Sequence, residues 1–382
     1  MIVTFYGTAA ELIKMYGIVT GLPRSEQLLI CTGQQHAGLQ KVQAQLGITP
    51  DVYLGRGHRG EDVATMGQVL ALMLGVHARF VLLAPRLARR IRRHDREMGT
   101  RSIALVHGDT LTTVVGAYLG RALGLPVGHV EAGLRSGSWR SPFPEELDRR
   151  AASKLSRVHF PPNEGAASNL RLEKVKGDIV PTTFNTARDA IDQAGHFAGP
   201  AVAALSLPTD YLLVLLHRTE LIENRDDFAA VLQAIADYAD AGHEVVFVTH
   251  TTTASRLRAF DLDSLVERPH ITRIPKQPYF DFMAIVDGAQ AIITDGGGLQ
   301  EDGYFLGIPT LVHRRRTERS EGLGTSAVLS GMDLSVVRAW LRDHPARSAL
   351  SSLRDGVSPS ALVIDYLRQH GYVASGTASH GH

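Results

Sequence analysis

The feature that most constrains this chain is an alternation that runs along it twice. Short β-branched or leucine-rich runs at residues 2–6, 27–32, 103–107, 127–130 and 157–160 are separated by helical patterns such as 11–20 and 112–123. That order makes βαβ units, a parallel sheet, and helices on both faces. The pattern fades over residues 178–208 and restarts at 211–216, 244–249, 271–274, 291–294 and 310–313. The expected class is therefore α/β: two doubly wound, Rossmann-like domains facing across a cleft, with ligand at the strand C-termini. The spacing assigns 1–184 to the first domain and 185–357 to the second. A helix at about 358–372 is expected to complete the first domain, and 373–382 to form a flexible tail. A length of 382 residues suits two domains.

Composition closes several alternatives. At 44% hydrophobic and 21% charged, the chain can bury sizeable cores. Its net charge is +1, from 40 basic and 39 acidic residues, so nothing general favours nucleic acid and any anion site must be local. The single cysteine, Cys31, sits in an apolar run and reads as a buried strand thiol, which suits a reducing compartment. The opening MIVTFYG carries no basic leader, and the longest apolar runs, 80–84 and 211–216, are too short to span a bilayer. Both runs read as buried parallel strands. A cytoplasmic protein with no membrane or nucleic-acid partner is expected.

Six segments carry chemistry. Gly296-Gly297-Gly298 follows a strand and opens a helix, an arrangement that lets the backbone and its free N–H groups approach a diphosphate. His107-Gly108-Asp109-Thr110 also joins strand to helix, where Asp109 serves equally as a helix cap. In His129-Val130-Glu131-Ala132-Gly133-Leu134-Arg135, Glu131 follows a buried strand, a costly place for an acid without a task. Glu145 and Glu146 follow Pro144 and open a helix, where the dipole favours carboxylates. His217-Arg218 closes the first strand of the second set; a histidine there can donate a proton or bind phosphate. Arg314, Arg315, Arg316 and Arg319 follow its last strand. Gly55-Arg-Gly57-His-Arg-Gly60 fits G-x-G-x-x-G, but no acid lies between Asp62 and Asp95 to hold a ribose, so NAD is not expected.

In order and spacing these segments resemble the UDP-N-acetylglucosamine 2-epimerases over nearly the whole chain. GTAAELIK stands for the family's GTRPEAIK, VHGDTLTT for VHGDTTTT, LLHRTE for its HRRE or HRPE element, TDGGGLQED for TDSGGIQEE, and TERSEG for TERPEG. PVGHVEAGLRSG, SPFPEELDRR and LGIPTLV complete the match. The resemblance implies a GT-B-like fold, a UDP-sugar in the cleft, often a homodimer, and neither NAD nor a catalytic metal. It implies elimination of UDP to a 2-acetamidoglucal and re-addition with C2 inverted, or hydrolysis to free N-acetylmannosamine and UDP. Asp109, Glu131 and Glu145 match the family's acid–base carboxylates, and His217 its histidine at the leaving group. Nucleotide contacts are expected from Lys14, Arg135, Arg218, Gly296, Gly297, Gly298, Glu301, Asp302 and Arg319.

Departures mark where this chain is its own. Ala9 replaces an arginine, Gly296 a serine and Asp302 a glutamate, and TGQHRE becomes Thr32-Gly33-Gln34-Gln35-His36-Ala37. With the arginine gone, Arg135, Arg218, the run 314–316 or Lys14 is expected to serve the phosphates. The changed phosphate positions also leave two other readings: a glycosyltransferase on the same scaffold with a UDP-sugar donor, and a sugar-nucleotide binding protein without turnover.

Overall fold

The computed structural model describes residues 1–55, 66–135, 145–197, 199–317, 319–347 and 356–374. The chain divides into two compact units, Met1–Ala190 together with the stretch from Val357, and Ile191–Gly356. The first contains a seven-stranded sheet: β1 (Ile2–Tyr6), β2 (Gln27–Cys31), β3 (Val52–Tyr53), β4 (Ile103–His107), β5 (Val127–Val130), β6 (Val158–Phe160) and β7 (Asp178–Ile179). Their order across the sheet is β3-β2-β1-β4-β5-β6-β7, and every pairing is parallel. The second has six: β8 (Leu212–Leu215), β9 (Val245–Thr249), β10 (Ile271–Pro275), β11 (Ala291–Thr294), β12 (Thr310–Val312) and β13 (Ala327–Leu329). Their order is β10-β9-β8-β11-β12-β13, again all parallel.

Both sheets are doubly wound, and their central strands are apolar because helices cover both faces. Every residue of β1, β2 and β4 is buried. In each sheet the strand order reverses beside the first strand, between β1 and β4 and between β8 and β11. Such switch points splay the flanking helices apart and leave a crevice at the strand C-termini.

Three details differ from the sequence reading. Residues 80–84 are not a strand. They lie inside the helix Met66–Met98, where Phe80 joins Val76, Leu87 and Ile91 in the core while Val81 and Leu82 are 56% and 77% exposed. By length and composition this helix is the one described element apolar enough to cross a membrane, although its inner face belongs to the core of the unit. The division between units falls after Ala190, not after Phe184. The Arg188 guanidinium donates to the Val357 carbonyl at 3.2 Å and the Ser360 N–H to Asp189 at 2.7 Å, which holds residues 185–190 to the first unit. The edge strands β7 and β13 are two or three residues each and carry no distinct sequence signal, whereas β3 falls in the weak strand pattern of residues 51–54. Residues 56–60 of the G-x-G-x-x-G segment and 375–382 of the tail lie outside the described residues.

The helix Pro359–Gln369 returns to the first unit and packs on Ala9–Thr20, with Val363 and Leu367 fully buried. At the end of β1 the packing is tight. A Cβ on Gly7 would stand 2.1 Å from Thr32 Oγ1 and 2.2 Å from Thr112 Oγ1, and these hydroxyls bond each other at 2.8 Å. Gly7→Ala should therefore destabilise the protein by about 1–3 kcal/mol through overpacking, read as a lower urea midpoint; an unchanged midpoint would show that this turn has slack.

Candidate functional site

In the first unit, three adjacent strands deliver their ends to the β1/β4 switch point. β1 ends in Gly7-Thr8, where the Thr8 side chain and Glu11 form a reciprocal helix cap. Glu11 is fully buried and accepts from the N–H groups of Gly7 and Thr8 at 2.8 and 2.9 Å and from the hydroxyl of Thr110, beyond β4, at 2.5 Å. One carboxylate thus ties the turns after β1 and β4. Burial raises its pKa, and these donors oppose the shift.

β5 presents Glu131, whose backbone is left-handed (φ 63°) and whose side chain is 7% exposed. Its Oε2 lies 2.7 Å from Lys14 Nζ and 3.3 Å from His107 Nε2. Lys14 is thus the counter-ion of the Glu131 carboxylate. Gly108 (φ 72°) turns the chain beside it, and a Cβ there would stand 3.8 Å from Glu131 Oε2. Beneath, the buried His129 donates from Nε2 to the Gly108 carbonyl at 2.7 Å. Burial lowers its pKa to about 4, so it is neutral at pH 7.

Asp109 and Glu145 form a second acidic group. Arg149 Nε donates to Asp109 Oδ2 at 2.9 Å. Asp148, on the helix opened by Glu145, has its pKa raised to about 6 by burial and by the charges of Asp109 and Glu145. Glu146 is fully buried and is an anchor, 3.0 Å from Arg150 Nε and 3.8 Å from Arg149 Nη1. Arg135 is also structural. Its guanidinium, 7% exposed, holds Glu173 with bonds of 2.8 and 2.7 Å, so a phosphate contact from Arg135 would have to compete with that carboxylate. Residues 141–144 of the SPFPEELDRR segment lie outside the described residues.

The second unit repeats the logic at the β8/β11 switch point. Asp295, directly after β11 and fully buried, accepts the backbone N–H groups of His217 and Arg218, both at 2.8 Å. Its other oxygen lies 3.1 Å from His217 Nδ1, which leaves Nε2 as the outward nitrogen. The ring of His250, at the end of β9, lies 4.9 Å from that of His217. Burial, and next the charge of His217, lowers the His250 pKa to about 4. After Asp295 the helix Gly297–Leu306 starts without a side-chain cap. None of Gly296, Gly297 and Gly298 has a positive φ, so conformation does not demand glycine there; Gly298 instead faces open space. Glu301 pairs with Arg319 at 3.2 Å, and Gln300 binds the carbonyls of Arg319 and Glu321, fixing the loop that carries them. Asp302 adjoins Glu301, and both charges, after burial, push the Tyr279 hydroxyl pKa upward. Arg314 is paired with Glu220 at 3.1 Å, whereas Arg315 and Arg316 are exposed. Among the described residues no group of histidine, cysteine and acid side chains is arranged to hold a metal ion.

A family model described as UDP-N-acetylglucosamine 2-epimerase matches residues 97–345. The chain belongs to the UDP-N-acetylglucosamine 2-epimerase family. It is 30% identical to the UDP-N-acetylglucosamine 2-epimerase of Bacillus subtilis (strain 168), over 97% of this chain and 96% of that one. It is 32% identical to the probable enzyme of that name from Ralstonia nicotianae, over 92% and 93%. Among solved structures, the Methanocaldococcus jannaschii UDP-GlcNAc 2-epimerase superposes with a TM-score of 0.78 at 25% identity, covering 97% of this chain and 99% of that one.

Within this epimerase family, two of the chain's departures touch. The Ala9 N–H donates to Gln35 Oε1 at 2.9 Å, and the Gln35 N–H to the Gly7 carbonyl at 2.8 Å. A side-chain amide therefore caps the helix where the family's arginine stands. Sequence reasoning missed Glu11, His107, Asp148, Arg149, Asp295 and His250. All but His250 lie in the quoted motifs, and His250 directly follows β9; the signal was position, without a chemical task to single them out.

His129 and His250 are held neutral, with pKa values near 4 against about 6.5 in an unfolded chain. The unfolded state binds the proton first, so their contribution to stability is complete above pH ~6.5 and is lost as pH falls toward 4. The urea midpoint should drop across that window, and less steeply in His129→Gln; parallel slopes would remove His129 from the account.

Proposed function

We propose that this chain inverts C2 of UDP-N-acetylglucosamine by eliminating and re-adding UDP. The observation that carries the reading is Glu131: an acid at a strand end, held in a strained left-handed backbone, with Lys14 and His107 on one oxygen. Strain of this kind persists where the surroundings enforce it, and it clusters at functional sites. Family membership supports the reading, as does a relative of 26% identity solved with UDP-GlcNAc and UDP.

Glu131 removes the C2 proton, the C2–H electron pair forms the C1=C2 bond, and the C1–O bond to UDP breaks. A diphosphate oxygen then re-attacks C1 while a proton returns to the opposite face of C2. One proton is taken and one, exchanged with solvent, is given, and UDP leaves and returns, so the balance requires no cofactor or metal. The proton donor for that face is assigned to the group formed by Asp109, Glu145 and Asp148, because the Asp148 carboxyl, raised to about 6 by burial and by the charges of the other two, exchanges protons readily. In the second unit, His217 Nε2 and the uncapped helix start at Gly297 suit the departing diphosphate, with Asp295 beside the ring at 3.1 Å. Arg218, Arg315 and Arg316 are the cations assigned to replace the missing arginine. We place the reaction in the cytoplasm, in keeping with the lone thiol Cys31, whose pKa burial pushes up to about 12. We also assign a homodimer to the apolar outer face of the helix Met66–Met98, where Leu70 and Leu74 are 60% and 64% exposed.

Turnover of UDP-GlcNAc in deuterated water should place deuterium at C2 of the product, with Glu131→Gln slower by at least ~100-fold. Sugar passed to an acceptor without exchange would replace this reading by glycosyl transfer, and no turnover would leave a binding protein. In light scattering the wild type should have twice the mass of Leu74→Glu/Leu82→Glu; equal masses would refute the interface.

A further inference from the structure

The opposite end of the first sheet carries charge that its own acids do not neutralise. A groove of about 880 Å³ is lined by Arg121, Arg150, Lys154, Arg157, Lys174 and Lys176. Glu173 is its one lining carboxylate, and it is already held by Arg135 at 2.7 Å and Arg150 at 2.9 Å. Among the described residues, Arg121, Lys154, Arg157, Lys174 and Lys176 make no ion pair with an acid. Elsewhere arginines meet carboxylates, as in Arg24–Asp51, Arg256–Glu223, Arg273–Asp263 and Arg347–Asp287. In a chain of net charge +1, this excess is local.

Helix C-termini favour cations, which accounts for Arg121 and Lys154 at the ends of Leu111–Ala122 and Glu145–Leu155. It does not account for Arg157 and Lys176, which stand outside any helix, before β6 and β7. Leu147, Leu155 and Val175 also line the groove, so it offers apolar surface beside the charge. Its volume falls in the range of small-molecule sites, roughly 300–1,000 Å³.

We propose that this groove is a second anion site, which takes a small organic di- or triphosphate and is separate from the strand-end clusters around Glu131 and His217. It communicates with the acidic group through one helix. Glu145 opens the helix Glu145–Leu155, whose far end lines the groove about 15 Å away at the α-helical rise. Midway, Arg150 bridges buried Glu146 at 3.0 Å and Glu173 at 2.9 Å. A phosphate competing with Glu173 for Arg150 therefore acts on the element that carries Glu145 and Asp148; this consequence for turnover rests on the proposed function, whereas the binding does not.

The test is calorimetric titration of the full chain with inorganic tripolyphosphate at physiological salt. One site is expected, undisturbed by saturating UDP and by Glu131→Gln. Lys154→Gln/Lys176→Gln, which alters two exposed side chains, should weaken it at least ~10-fold, the usual scale for charge-assisted bonds. Absence of binding, displacement by UDP, or equal affinity in the double variant would overturn the proposal. So would a 20-residue oligonucleotide binding where tripolyphosphate does not, since that marks a nucleic-acid surface.

Discussion

Each unit depends on a buried carboxylate that closes its switch point. Where a sheet reverses its winding order, two strand-to-helix turns run side by side with backbone N–H groups unused by either ladder. Glu11 accepts from the turn after β1 and from Thr110 beyond β4. Asp295 accepts from the turn after β8 while sitting at the end of β11. A buried acid is costly unless donors surround it, and here they do. The same bonds that repay its desolvation fix these turns, and the His217 ring lies beside the second oxygen of Asp295, 3.1 Å from its Nδ1. Stability and site geometry are thus one arrangement.

Glu131 adds a second constraint. A non-glycine residue in the left-handed region costs roughly 1–2 kcal/mol. The chain around it leaves no easier course. Gly133 turns at φ 84° with a would-be Cβ 2.3 Å from the Ala166 carbonyl, so the segment is pressed against the helix Glu164–Leu172. Lys14 and His107 then seize the side chain. The carboxylate is aimed by backbone and partners together, so a change at Lys14 shifts both its charge environment and its direction.

The central strands were legible because each is a short apolar run buried on both faces, and Asp109 and Glu131 drew notice because they follow the ends of those runs. Residues 80–84 were misread for the same reason: five apolar residues look alike in a strand and in a half-buried helix. Partnerships were not legible. Lys14 and Glu131 are 117 positions apart, and only the β1–β4–β5 order makes them neighbours. Arg135 looked available because it follows a strand, while Glu173, which occupies it, lies 38 positions on. Motif spacing reveals which residues matter to a family; it does not reveal which of them are already engaged.

The returning helix Pro359–Gln369 has a consequence for the order of synthesis. Val363, Ile364 and Leu367 belong to the interior of the first unit, yet the ribosome makes them after the whole of the second. Until then the outer side of Ala9–Thr20 has no cover, and Gly17, against which Ser360 packs closely, faces solvent or a chaperone. The second unit, a continuous stretch of chain, can close while it is still being made. In the cell, the unit that is begun first is therefore the one finished last.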